Sequence, residues 1–200
     1  MPTFLDKLPK LQALTLACKP EPGEYLARLT SLTLEPGVWS NILDLETMGG
    51  VPAASLASAT GLRRLELNTT VDDDDLQEVL PCRLRNAHVL NELPGLTSLL
   101  LDEVGGTSLP PEGSYLSSLR SLKIRGFHTA TLAPGLSAAT GMTALSIVNP
   151  RMSVDVVWEQ LATLLPRWPL LKEMLLHEHD DLNLLAVSML AGDMLEDMHT

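Results

Sequence analysis

The residue types that could carry chemistry are few and scattered. His177-Glu178-His179-Asp180-Asp181 gathers two imidazoles and three carboxylates within five residues, which is the composition of a metal site. A strand would turn His177 and His179 to one side, but no third ligand is placed. The His-Glu-x-x-His spacing that a helix would need is absent. The Asp72–Asp75 run lacks the alternating ligands and the glycine of a calcium loop. It reads instead as the solvated start of a helix, where carboxylates complement the N-terminal dipole. Cys18 and Cys82 have no His and Asp nearby in sequence to activate a thiolate, and two cysteines make neither a zinc set nor a disulfide framework. No Gly-x-Ser-x-Gly turn, phosphate loop or dinucleotide fingerprint occurs. A catalytic reading is left with Arg64, Glu66 and His177, which are far apart along the chain. The expectation is a protein without catalysis and without a cofactor.

The bulk composition narrows the partner. The 200 residues are 45% hydrophobic but only 4% aromatic, so the core must be built from aliphatic side chains. Twenty-five acidic residues face 14 basic ones, a formal net charge of −11. Nucleic acid is disfavoured, because phosphate binding needs clustered Lys and Arg. The charge favours a basic or neutral protein surface instead. The Met1–Asp6 start lacks a basic segment followed by an apolar one, and no apolar run approaches the roughly 20 residues that span a bilayer. The expected compartment is the cytoplasm, with the nucleus as the alternative.

The elements that must position any site come from an internal repeat. An apolar residue recurs with others at +3 and +5: Leu11-x-x-Leu14-x-Leu16, Leu29/Leu32/Leu34, Leu62/Leu65/Leu67, Leu96/Leu99/Leu101 and Leu119/Leu122/Ile124. Weaker copies are Met142/Leu145/Ile147 and Leu171/Met174/Leu176. Leu8, Leu26, Leu93, Leu116 and Trp168 stand three positions upstream of their copies. Copies begin 18, 33, 34, 23, 23 and 29 residues apart; the shorter of these match a period of about 20–29 residues. Within each copy the +3/+5 pair predicts a short strand, since alternate residues point to opposite sides. Its leucines face a shared interior, while +2, +4 and +6 face outward on a common parallel sheet. No copy can bury its apolar side alone, so at least three must associate.

Leu-Pro-Gly-Leu-Thr-Ser-Leu-Leu-Leu (93–101) and Leu-Ser-Ser-Leu-Arg-Ser-Leu-Lys-Ile (116–124) carry a family resemblance. Over roughly residues 5–180 the chain resembles leucine-rich-repeat proteins, most closely the irregular intracellular repeats of plant-type immune receptors and F-box adaptors. The resemblance implies an α/β solenoid: short parallel strands on a concave face, with helices or irregular loops on the convex face. It also implies a recognition role in signalling, immunity or ubiquitin-ligase targeting. One departure is clear. The family's Asn or Cys at +8 is replaced by Lys19, Gly37, Thr70, Val104, Phe127, Pro150 and His179, so no asparagine ladder ties the loops.

The chain reads as one domain, 1–200. Ser153 is placed to cap a helix over 154–165, with Val154, Val157, Trp158, Leu161 and Leu165 on one face. Residues 182–198 read as a terminal helix or cap, and Trp39–Leu45 as part of an unregistered turn. The outward strand positions are the candidate partner-binding surface: Arg64, Glu66, Asn68, Leu100, Asp102, Lys123, Arg125, Val148, Leu175 and His177. Leu100, Val148 and Leu175 stand out, because an apolar residue flanked by charge is a common interface composition. The leading function is therefore protein–protein recognition on that sheet face. The alternatives are a fragment or regulatory subunit of a larger repeat protein, such as a ubiquitin-ligase substrate adaptor, or an enzyme activator. Reversing Lys123 and Arg125 to Glu is expected to abolish binding without unfolding the chain.

Overall fold

In the computed structural model of the chain, every copy of the leucine pattern ends in a strand. The structure describes residues 4–16, 23–35, 42–44, 54–68, 82–85, 87–102, 104–105, 109–126, 131–148, 150, 153–177 and 184–188. Seven strands arise from the seven copies: β1 (Ala13–Leu16), β2 (Ser31–Leu34), β4 (Arg64–Asn68), β6 (Ser98–Asp102), β8 (Ser121–Arg125), β9 (Ala144–Val148) and β10 (Glu173–His177). They lie side by side in chain order, all parallel, in one open sheet. The register never slips. Leu14, Leu32, Leu65, Leu99, Leu122, Leu145 and Met174 form one row across the sheet. Leu16, Leu34, Leu67, Leu101, Ile124, Ile147 and Leu176 form a second. From β2 onward all members of both rows are buried. Since a one-residue slip would turn all of them to the other face, the apolar rows themselves fix the register.

The residues leading into the strands form tight turns instead of α-helix. Leu29 N–H donates to Leu26, Leu62 to Ala59, Leu96 to Leu93, Leu119 to Leu116, Met142 to Ala139 and Leu171 to Trp168, each a three-residue step. A three-residue turn stacks every third side chain on one side, which accounts for the apolar residue three positions upstream. Ala59 and Ala139 take that place in the copies where the sequence shows no large residue. All of these side chains are buried with the strand leucines in a single cluster. Each fully buried Leu contributes on the order of 2 kcal/mol by leaving water.

Two threads of hydrogen bonds tie the copies together. At the residue after each first leucine, one carbonyl accepts two N–H groups from the next copy: Gln12 from Thr30 and Ser31, Thr30 from Arg63 and Arg64, Arg63 from Thr97 and Ser98. The same fork continues through Thr97, Arg120 and Thr143. The Thr30, Thr97 and Thr143 hydroxyls donate to the same carbonyls of Gln12, Arg63 and Arg120. A second, smaller parallel sheet joins β3 (Ile42–Asp44), β5 (Cys82–Arg85) and β7 (Val104–Gly105). Of the stretch 39–45, expected as an unregistered turn, the described residues Ile42–Asp44 form a strand.

Two α-helices are described, α1 (Ala54–Ala57) and α2 (Val154–Leu164). In α2, Val157 and Leu161 are buried as the spacing predicts, while Trp158 and the following Leu165 are partly so. Ser153 departs from its expected role. Its side chain makes no cap hydrogen bond, and its backbone carbonyl accepts from Val156 and Val157. This region is bound to the preceding copy through side chains: Gln160 Oε1 accepts the Leu132 N–H, and Trp168 Nε1 donates to the Leu136 carbonyl at 3.1 Å.

The helix expected over 182–198 is not formed at 184–188. Those residues are β11 (Leu184–Ser188), paired antiparallel to β10. The Leu-Leu-Ala-Val-Ser segment is a short aliphatic run that suits either element, and the free edge of β10 offers it a row of backbone donors and acceptors. The remaining parts of that tail, the Asp72–Asp75 helix start and His179–Asp181 lie outside the described residues. Among the described residues, no helix is long and apolar enough to cross a membrane.

Candidate functional site: the outward face of the sheet

Alternation along each strand turns three rows away from the core, and the register makes them continuous. The middle row runs Thr15, Thr33, Glu66, Leu100, Lys123, Ser146 and Leu175. The row beyond it runs Asn68, Asp102, Arg125, Val148 and His177. All ten residues expected at the site occupy this one face.

Its two ends differ in how their polar groups are used. On β4, Arg64 Nε donates to Glu66 Oε1 at 2.7 Å and Thr33 Oγ1 donates from β2 to Glu66 Oε2 at 3.0 Å. Arg64 and Glu66 are two residues apart on one face, so the pair forms within the strand. Arg64 remains 61% exposed. This end satisfies itself.

Between the two ends lies Asp102, where the structure differs from a simple surface position. Its side chain is only 3% exposed, and Arg125, its register partner on β8, donates to Oδ2 at 3.1 Å. Burial raises the carboxyl above its usual range, while the charge and hydrogen bond of Arg125 and the nearby Lys123 act in the opposite direction. Asp102 is therefore a support for Arg125 and not an accessible contact. For the same reason Arg125→Glu would place like charges together against a buried carboxylate, so the Lys123/Arg125 double reversal is not a neutral probe of binding.

On β8–β10 the outward groups have capacity left over. Lys123 has no ion pair among the described residues, and the Arg125 guanidinium uses Nη1 alone. Ser146 Oγ and His177 Nδ1 are buried atoms without a hydrogen-bond partner. Leu100, Val148 and Leu175 are half-buried beside them. Ser146 was not among the expected site residues; a small hydroxyl on a strand gives no sequence signal until its neighbours are known.

The catalytic combination is not assembled. Arg64 and Glu66 bond to each other on β4, and His177 stands four strands further along the sheet. At about 4.8 Å per strand that is roughly 19 Å. Among the described residues, no three His, Cys, Asp or Glu side chains converge as metal ligands. No protein-family model matches the chain, and no curated protein matches it in sequence.

Proposed function

We propose that the chain is a non-catalytic recognition module of the leucine-rich-repeat type, a solenoid that binds another protein on the outward, concave face of its sheet. The observation that carries this reading is the unbroken register of seven parallel strands. It aligns Leu100, Val148 and Leu175 with Lys123 and Arg125 on one surface. Apolar side chains beside unspent charge suit a desolvated contact ringed by polar ones. A face built on shared strands is also pre-organised, so little ordering entropy is lost on binding. Adaptor or regulatory roles in a larger repeat assembly are applications of the same surface.

The test is affinity capture from a cytosolic extract with the full chain as bait. Leu100→Asp/Leu175→Asp is compared with Leu170→Asp, which alters an exposed leucine outside the strands (54% exposed). A partner held by the wild type and by the Leu170 variant, and lost with the double variant, supports the reading. Equal retention by all three refutes it.

A further inference from the structure

The chain is acidic overall, yet the outward face of β8–β10 is not. Rows and register bring together a two-by-three block: Lys123, Ser146 and Leu175 in one row, and Arg125, Val148 and His177 in the next. Every polar member of this block is a hydrogen-bond donor or can become one, and it holds no carboxylate. Four features show unused capacity. Among the described residues Lys123 has no ion pair and Arg125 Nε and Nη2 have no partner. Ser146 Oγ and His177 Nδ1 are desolvated without a bond. The adjoining outward row adds one exposed carboxylate, Glu173 at the start of β10. On β4 such groups are matched: Glu66 takes Arg64 and Thr33.

We propose that the β8–β10 block recognises an acidic, aliphatic segment of a partner protein. A carboxylate is bound by Lys123 and the free edge of the Arg125 guanidinium, and an aliphatic side chain lies against Val148 and Leu175. This deepens the recognition reading above and rests on it. The choice follows from charge complementarity. A net charge of −11 would by itself select a basic partner, but a field within about 10 Å is set by the nearest charges, because salt screens the rest. Asp102, its register partner on the neighbouring strand, holds Arg125 Nη1 at 3.1 Å, and a fixed guanidinium fork suits a carboxylate. The apolar pair argues against a purely ionic ligand, since phosphate alone would leave Val148 and Leu175 uncovered.

The experiment titrates the isotope-labelled full chain with defined probes and follows backbone amide signals. The probes are a capped octapeptide alternating Glu and Leu, its Lys–Leu counterpart, a Glu–Ser version and a single-stranded RNA. The expected result is movement of β8–β10 amides with Glu–Leu. That binding should be at least fivefold weaker with Glu–Ser, about tenfold weaker at 0.5 M salt than at 0.05 M, and tenfold weaker in Lys123→Met. The Met variant keeps the aliphatic stem and touches no ion pair. Binding of Lys–Leu as tightly as Glu–Leu at this block overturns the acidic choice while leaving a recognition face in place. Stronger movement with RNA overturns the choice of a protein segment. No movement of β8–β10 with any peptide overturns the inference; the capture experiment then decides the recognition reading separately.

Discussion

The outward surfaces of β4 and of β8–β10 share one backbone register but have opposite polar economies. On β4 the cation, the carboxylate and a threonine from β2 close a circuit of hydrogen bonds. On β8–β10 the Arg125 guanidinium meets the flanking Asp102 through Nη1, and among the described residues its Nε and Nη2 and the Lys123 ammonium have no ion-pair partner. Unmatched buried or half-buried donors cost stability, and folding alone gives no reason to keep them. The difference is that one end of the face satisfies its own polar groups, while the other leaves donors that the proposed partner would complete.

The largest expected effect comes from breaking the support under that second end. Arg125→Glu should destabilise the chain by about 2–3 kcal/mol, below the 3–5 of a fully buried pair because Arg125 is 43% exposed. Arg125→Lys should cost less than half as much; urea unfolding of the two variants measures this. An Arg125→Glu chain as stable as wild type would mean that Asp102 does not depend on its partner.

The next effect is a pH dependence carried by Asp102. Because the folded-state carboxyl of Asp102 lies above its ordinary value of 3.8, the folded chain holds this proton more tightly than the unfolded one. Its contribution therefore favours folding at low pH and is lost as pH rises from about 4 through the raised value. Asp102→Asn removes this dependence, so the variant should gain stability relative to wild type as pH rises from about 4 through the raised value. Unfolding free energies at pH 4, 5 and 6 decide the matter, and parallel curves for Asp102→Asn and wild type would contradict the assignment.

Two smaller effects sharpen the contrast. Glu66→Gln weakens an exposed pair and should cost at most about 1 kcal/mol without altering partner affinity. Thr97→Val removes a hydroxyl bond to the Arg63 carbonyl while the backbone fork remains, and should cost about 0.5–1 kcal/mol. Thermal unfolding measures both. A loss above 2 kcal/mol for Thr97→Val would show that the threonine, not the backbone, ties the copies together.

The main sheet was legible because its signal is repeated. Each +3/+5 pair fell inside a strand, and seven copies fixed the inward and outward rows, including the positions of all ten candidate residues. The second sheet was not legible. Ile42-Leu-Asp44, Cys82-Arg-Leu-Arg85 and Val104-Gly105 carry no copy of the repeated leucine pattern, and only their backbone pairing identifies them as one sheet. Strand β11 was hidden by an aliphatic run whose spacing also suits a helix. Within the site, the charge and apolar content of each position could be read, but not its satisfaction. That Asp102 is buried and Lys123 unpaired depends on residues 20 or more positions away, brought together only by the register.

The most direct test of the central claim compares the two ends of the face in one assay, using the partner recovered by affinity capture. Binding of Lys123→Glu and Arg64→Ala is measured by calorimetry, with circular dichroism confirming that both fold. The account predicts that Lys123→Glu loses tenfold or more in affinity while Arg64→Ala stays within twofold of wild type. Equal losses, or a greater loss at Arg64, would contradict it.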